Sequence, residues 1–324
     1  MKNAKTDSRI RIAICGLGKS GSRHLKIINE IPDYEIVAVC DIDPSRKNLL
    51  TLNGTREIPF FSNYTDMIKC DWIDAIVIAT PNYLHYEQSI MAMEHGKNII
   101  CEKPPAISLP QIISIKNIAQ EKNKKFIVVS QNQHSKIISE LHHKYRKGEL
   151  GKLKYLSAVV LWNRSDEYFK NLKWCASKEK SGGLLFHFFI HFFNIISMFF
   201  DDIRVLSAFA STIHHAPPYD YPDTITVTMI GDGSSLINFS GTIATPTTSL
   251  EGSITFIFSN ASIKVGGVYL NTVEFAHPPE LAKNFSYEST EDKLRNFYIN
   301  AARILSGPSY YFEDPIISAI KLIS

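Results

Sequence analysis

Cysteine is scarce in this chain and shows no pattern. There are five, an odd count, with no Cys-x-x-Cys and no ligand spacing. That argues against a disulfide scaffold and against a zinc ribbon. Cys15, Cys40 and Cys101 lie in apolar, strand-like runs, where cysteine behaves as a small hydrophobe. A reduced, cytoplasmic protein is expected. An excess of one charge is also missing. The formal net charge is +3 over 324 residues, and no basic block suggests a nucleic-acid surface. Lys122, Lys124 and Lys125 read as a solvated helix end. Long apolar runs are absent as well. Residues 10–15 are too short for a secretory core. Residues 184–200 are interrupted by His187, His191, Asn194 and Ser197, so no membrane partner is expected. Neither internal repeats nor low-complexity tracts occur.

What remains is a globular composition, 44% hydrophobic and 21% charged, long enough for two ordinary domains. Residues 11–15 form a short apolar run of the buried parallel-strand kind. Gly16, Leu17, Gly18, Lys19, Ser20 and Gly21 follow at once. A helical stretch, 22–31, leads to a second strand, 35–40, which ends at Asp41. This is strand, G-x-G-x-x-G, helix, strand, acid, with the acid about 20 residues after Gly21. Gly16 permits the tight turn, Gly18 lets a pyrophosphate approach, and Gly21 lets helix and strand pack. The helix N-terminus faces the diphosphate. Asp41 accepts from the adenosine ribose and repels a 2′-phosphate, so NAD is expected; nearby Arg46 leaves NADP open.

The alternation continues. Helices are expected at 66–69, 83–95 and 109–121, and strands at 72–79, 98–101 and 126–130. Gly16, Asp41, Thr80 and Lys103 all fall at strand carboxyl ends, where ligands of parallel sheets bind. Thr80-Pro81-Asn82, His85 and Glu102 lie on the same edge. Lys103, followed by Pro104 and Pro105, is placed to bond a substrate hydroxyl and to shuttle its proton. A surface lysine paired with Glu102 is the competing reading.

In the second half, residues 135–147 read as an amphipathic helix and 154–162 as a strand. A polar, aromatic loop spans 163–181. Gly182-Gly183 then opens the most apolar helix of the chain, carrying His187 and His191 four residues apart, on one face. Taken alone, this is a buried helix whose histidines find partners. Strands follow at 205–213, 223–230, 235–242, around 254–258, 262–265 and 272–275, with Gly231-Asp232-Gly233 as a hairpin turn. Helices are expected at 292–305 and 315–323. The strands make an antiparallel sheet with one face on the Gly-Gly helix and one with apolar area to spare. A homodimer or homotetramer through that second face is expected.

The motifs together resemble the Gfo/Idh/MocA oxidoreductases, which include glucose–fructose oxidoreductase and inositol dehydrogenase. The matching pieces are GLGKSGSRH (16–24), VCDIDP (39–44), ATPNYLH (79–85), CEKP (101–104), GKL (151–153) and SGGLLFHFFIH (181–191). The resemblance implies an α/β N-terminal Rossmann domain with a parallel sheet, residues 1–130. It implies that an α+β domain with a large open, mainly antiparallel sheet follows, residues 131–324. It implies that Lys103 and His191 are catalytic, and that Gly16 to Gly21, Asp41, Thr80, Pro81, Asn82, His85, Glu102 and Lys103 bind the cofactor. His187, Tyr168 and Arg164 are expected on the substrate.

The stretch from Trp162 through Tyr168 and Trp174 to the Gly-Gly helix is similar to the sugar-nucleotide branch, which oxidises the 3-hydroxyl of UDP-linked amino-sugar uronates. Three departures stand out. His187 replaces an acid or amide, Phe189 replaces a glycine and adds bulk beside the site, and Gln133 stands where many relatives have arginine. The expected activity is NAD-dependent hydride transfer from a sugar or sugar-nucleotide hydroxyl, with no metal. The alternatives are a dehydrogenase of a free cyclitol or sugar phosphate, and a non-catalytic dinucleotide-binding regulator of the same fold.

Overall fold

The structure is a computed structural model of the chain. It describes residues 9–51, 58–283, 285–308, 310–312, 318–319 and 321–322. Two compact units emerge: Met1–Val129 with Leu294–Glu313, and Ser130–Lys293 with Asp314–Ser324. The two-part division expected at 130/131 assigns residues 294–313 to the second half, whereas they lie in the first unit.

The first unit is built on a parallel sheet. Its strands are β1 (Ile10–Cys15), β2 (Tyr34–Cys40), β3 (Phe60–Phe61), β4 (Ala75–Ile78), β5 (Asn98–Cys101) and β6 (Lys125–Val128). The order is β6-β5-β4-β1-β2-β3, with the short strand Tyr311–Phe312 outside β6. All these pairs are parallel. The sheet is sealed on both faces, so its central strands are fully buried; every residue of β4 and β6 is inside. β4 is shorter than the expected 72–79. Trp72 is exposed, and at Asp74 the side-chain carboxylate, rather than a backbone carbonyl, accepts from the Arg11 N–H and from its guanidinium. Helices Lys19–Asn29, Asn82–Glu94 and Leu109–Glu121 connect the strands. Leu294, Phe297, Tyr298 and Ala301, on helix Thr290–Ser306, complete this core, which is why the late segment belongs here.

The second unit carries β7 (Leu153–Leu161), β8 (Ile203–Ser211), β9 (Thr224–Gly231), β10 (Ser235–Thr242), β11 (Glu251–Phe258), β12 (Ser262–Gly266) and β13 (Thr272–His277). The order is β13-β12-β11-β7-β10-β9-β8. Only β7 and β10 run parallel; the other pairs are antiparallel. The alternation read in the sequence sorts the faces. Ile225, Val227, Met229, Ile237, Phe239, Ile254 and Phe256 point inward. The hairpin turn has Asp232 at φ 47 and Gly233 at φ 76, as a primed turn requires.

Against the inner face lies the helical run Lys178–Phe199. By length and composition it could cross a membrane, with a mean hydropathy of 1.6, yet 72% of its apolar window is buried inside the unit. It is a core helix. The region expected as a loop, 163–181, contains helix Asp166–Asn171 and two shorter turns. Ser165 caps that helix by accepting from Tyr168 N, and two acids occupy its first turn. The helix expected at 315–323 lies largely outside the described residues.

Candidate functional site

The first unit contains a dinucleotide cradle. Gly16 has φ +88, and a Cβ there would sit 2.7 Å from Ala79 O; a Cβ on Gly21 would meet Gly16 O at 1.7 Å. Those two glycines let β1, β4 and helix Lys19–Asn29 approach one another. Gly18 differs. A Cβ added to it meets nothing within 4 Å, so its outer side is open at a helix N-terminus. Such a place suits a diphosphate. The Asp41 carboxylate is held beside it, accepting from Leu17 N at 2.6 Å and from Asp43 N at 2.9 Å. Each oxygen has acceptor capacity left for ribose hydroxyls. The residues therefore fit NAD. Arg46 ion-pairs with Asp43 at 3.5 Å. The Leu17 side chain is buried, Lys19 is exposed and Ser20 is half-buried.

Thr80-Pro81-Asn82 closes β4 and starts the next helix. The Thr80 hydroxyl donates to Gln88 Oε1 at 2.6 Å, and Asn82 is buried. His85 is buried as well, with Nε2 2.7 Å from Thr80 O and Nδ1 2.8 Å from Pro104 O. Both ring nitrogens thus face protein carbonyls. Burial lowers the His85 pKa against the pull of those two oxygens. Lys103 is half-buried, in a cis peptide to Pro104. Glu102 before it accepts from Lys103 N at 3.2 Å and meets His24 Nε2 at 2.9 Å.

The second unit contains the histidine helix. Gly182 (φ 84) and Gly183 (φ 76) make the left-handed turn that starts it. A π-turn then spans Leu185–Phe189 before the α-helix Ile190–Phe199. The wider turn spoils the simple i, i+4 stacking of His187 over His191. His187 is buried and lies 3.1 Å from the Tyr168 hydroxyl, with its ring edge-on to Trp174. Burial, aided by Cys175, pushes the Tyr168 phenol far up, so it stays protonated. His191 is half-buried. Phe189 points into the core rather than beside the site. It packs on Phe239 and Trp162, at the level of Gly241.

Arg164 lies over three rings, those of Trp162, Tyr168 and Phe188, 5.3 to 5.7 Å from their centroids. One of its N–H groups donates to Asn163 O. Gln133 is tied to the histidine helix by Asn194 Nδ2, at 3.1 Å from its Oε1. Next to it, burial lowers the His134 pKa to about 4, so that ring is neutral.

Asp166, His214 and His215 bring three potential ligand atoms within 4.8 Å of one another. Both His215 nitrogens are engaged, Nδ1 with Asp223 and Nε2 with Arg164 O. A metal there would have to break one of those bonds. Sequence reasoning passed over His24, which lies inside the quoted 16–24 motif, as well as Trp174's contact with His187. It had no local signal for Tyr298 or Asp223.

Residues 10–130 match a family model described as Gfo/Idh/MocA, oxidoreductase family, NAD-binding Rossmann fold. Residues 138–264 match the Gfo/Idh/MocA C-terminal domain. A 2,7-anhydro-N-acetylneuraminate hydratase of Mediterraneibacter gnavus is 31% identical over 181 residues, 54% of this chain and 45% of that protein. The chain spans about half the length of the curated relatives it matches. A WlbA dehydrogenase from Chromobacterium violaceum, solved with NADH and UDP-GlcNAcA, is similar with a TM-score of 0.86 and 24% identity, covering 98% of this chain and 92% of that one. The Bordetella pertussis WlbA dehydrogenase, with the same two ligands, gives 0.83 and 23%, over 97% and 94%. At those identities the likeness is one of fold.

Proposed function

Because the chain belongs to the Gfo/Idh/MocA oxidoreductase family, we propose that it is an NAD-dependent dehydrogenase of a sugar or sugar-nucleotide hydroxyl. The cradle carries this reading: an open backbone face at Gly18 beside a carboxylate, Asp41, anchored on Leu17 N. Asp41 holds the adenosine ribose and disfavours a 2′-phosphate. Bound NAD supplies the hydride acceptor. Lys103 and His191 are assigned the hydroxyl proton, one as base and the other orienting the hydroxyl. His187, Tyr168 and Arg164 belong to the sugar side. Fold neighbours solved with NADH and UDP-GlcNAcA support a UDP-linked substrate; oxidation at its 3-hydroxyl is proposed from the resemblance of the 162–183 stretch to the sugar-nucleotide branch.

The outer face of the second sheet supports self-association. Phe209 is 73% exposed and Phe275 58%, with Leu236 and Ile257 also exposed between them. Leu236, Tyr155 and Ile257 are cross-strand neighbours, one row of apolar groups. A homodimer or homotetramer through this face is proposed. All five cysteines are thiols, which suits the cytoplasm.

The test mixes the protein with NAD or NADP and a panel of UDP-sugars, free cyclitols and sugar phosphates, and follows the nicotinamide signal. Reduction of NAD by a UDP-sugar, abolished in Lys103→Ala, is the expected result. If NAD binds, no substrate reduces it, and Lys103→Ala leaves the biological role intact, the dinucleotide-binding regulator replaces the enzyme.

A further inference from the structure

The peptide around Lys103 is gripped on both sides by buried histidines from two different helices. On one side is Glu102. Its Oε1 lies 2.9 Å from His24 Nε2, and His24 Nδ1 lies 2.8 Å from the Tyr298 hydroxyl. His24 is 1% exposed and Tyr298 is fully buried. On the other side is the Pro104 carbonyl, 2.8 Å from His85 Nδ1, with Thr80 O behind the ring at 2.7 Å. We infer that His24, backed by Tyr298, and His85 are positioning residues that hold the backbone before and after Lys103 and so aim its side chain. The inference rests on the dehydrogenase reading for its purpose, though not for its geometry.

The hydrogen-bond polarity of the first arm follows from chemistry. Glu102 is half-buried, and an ionised carboxylate only accepts. His24 must therefore present Nε2–H to it, which leaves Nδ1 as the acceptor. The Tyr298 phenol supplies the matching donor, because burial raises its pKa well above the ordinary value. The Nε2–H tautomer of His24 thus satisfies both neighbours, whereas the opposite tautomer, though it could donate to the Tyr298 oxygen, would turn a lone pair toward the Glu102 carboxylate. Tyr298 is itself fixed, since its backbone carbonyl accepts from the Tyr34 hydroxyl at 2.9 Å. Its ring meets His24 and Tyr34 edge-on, at 5.7 and 5.8 Å between centroids. Glu102 uses its second oxygen on Lys103 N. A carboxylate that lost His24 would turn, and the Lys103 backbone would turn with it.

The second arm sits between two strand ends, where the ring, its pKa lowered by burial, donates to one carbonyl and packs against the other. Thr80 follows β4 and Pro104 follows β5, and the two strands are neighbours. One ring placed between their carbonyls sets the spacing of the two loops that flank the cofactor edge.

Tyr298→Phe tests the first arm with little disturbance, since it removes one oxygen and keeps the ring. In long-range 1H–15N spectra of the full-length labelled protein, wild-type His24 should show the Nε2–H form, and Tyr298→Phe should keep that form while shifting the Nδ1 signal that loses its hydrogen bond. A misaligned reacting group costs up to about 100-fold, so kcat should fall about 10- to 100-fold. The KM for NAD should stay within about twofold. His24→Gln keeps a donor for Glu102 and should retain more activity than His24→Ala. Acetylation of Lys103, read by peptide mass spectrometry against Lys19, reports alignment without turnover. It should change by more than about threefold in Tyr298→Phe. Wild-type kcat and unchanged Lys103 labelling in Tyr298→Phe would overturn the inference, as would an Nδ1–H wild-type His24. If the wild type turns over no substrate, the dehydrogenase reading fails, and the spectra and labelling still decide the clamp.

Discussion

Asp223 is a buried charge in the second unit, next in the hydrogen-bond chain to Arg164 of the proposed sugar side, and Asp223→Asn measures its contribution. The residue is 0% exposed. Its Oδ1 accepts from Ile213 N at 3.0 Å and Thr224 Oγ1 at 2.9 Å. Its Oδ2 accepts from His214 N at 3.0 Å, and from His215 N and His215 Nδ1 at 3.1 Å each. Burial alone would raise the carboxyl pKa. The three backbone N–H donors and His215 overcome it and bring the value from 3.8 down to about 2. That gap corresponds to about 2.5 kcal/mol of folding stability.

The folded value lies below the unfolded one. The contribution is therefore complete above about pH 4 and is lost as pH falls through about 2. An asparagine keeps one oxygen and leaves the Ile213 N–H facing an amide nitrogen, so the total cost should be about 2–4 kcal/mol. Urea unfolding followed by tryptophan fluorescence in a Trp72→Phe background, which leaves Trp162 and Trp174, reads this unit. The stability gap between wild type and variant should be about 1 kcal/mol smaller at about pH 3 than at about pH 5. A gap below about 0.5 kcal/mol at about pH 5, or one that ignores pH, would refute the account. His215 Nε2 also holds Arg164 O at 2.6 Å, so the variant should raise the substrate KM before it changes kcat.

The cradle and the sheet face make two further predictions. Gly18→Ala should fold normally, since its Cβ meets open space, and should weaken NADH binding at least about 10-fold in a fluorescence titration. Gly21→Ala, which drives a methyl into Gly16 O, should instead lower the melting temperature or abolish soluble expression. Equal behaviour of the two variants would sink the assignment of their roles. Phe209→Glu, on the outer sheet face, should shift the mass in light scattering toward the monomer with the melting temperature little changed. An unchanged mass would move the subunit contact elsewhere.

The expected fold class, a parallel sheet followed by a mainly antiparallel one, is what the structure has, and the reasons are local. Strand Asn98–Cys101 and helix Leu109–Glu121 fall where expected, with Gly96 at φ 77 just ahead of the strand. β10 begins where Gly231-Asp232-Gly233 ends. Other features depend on distant partners. The parallel pairing of β7 with β10 joins residues about 80 apart, and nothing in either strand announces it. Tyr298 meets His24 across 274 residues, so no spacing rule reaches it. The π-turn at Leu185–Phe189 is set by packing, which helical periodicity ignores. For the site, the glycines and Asp41 were readable because each has a backbone task that few residues perform. Arg164 was readable only as a polar group near a motif, and His85 only as the last residue of ATPNYLH. That Arg164 stacks on three rings, and that His85 lies between two carbonyls, are tertiary facts.

The anomalies of the histidine helix also look different once packed. Phe189 was expected to crowd the site because it stands in place of a glycine. Its ring instead crosses to the sheet, where β10 has Gly241; a Cβ on Gly241 would lie 2.7 Å from Phe189 Cε2. The Phe189 ring fills the space that a side chain at Gly241 would take, so the core stays close-packed there. Such a substitution changes the interior at the sheet side and leaves His187 and His191 where they are. The His187 exchange is of another kind. An acid or amide at that position offers an acceptor, whereas His187 is placed among the rings of Trp174 and Phe188 with Tyr168 at its Nε2. The Tyr168 proton is retained by burial, so this group is polar without a fixed negative charge. In the proposed site, a sugar beside it meets an aromatic wall with one hydrogen-bonding group in place of a carboxylate. On the proposed function, the departure at His187 bears on which sugar is recognised, while Lys103, the cradle and the proposed clamp serve any hydroxyl such an enzyme oxidises.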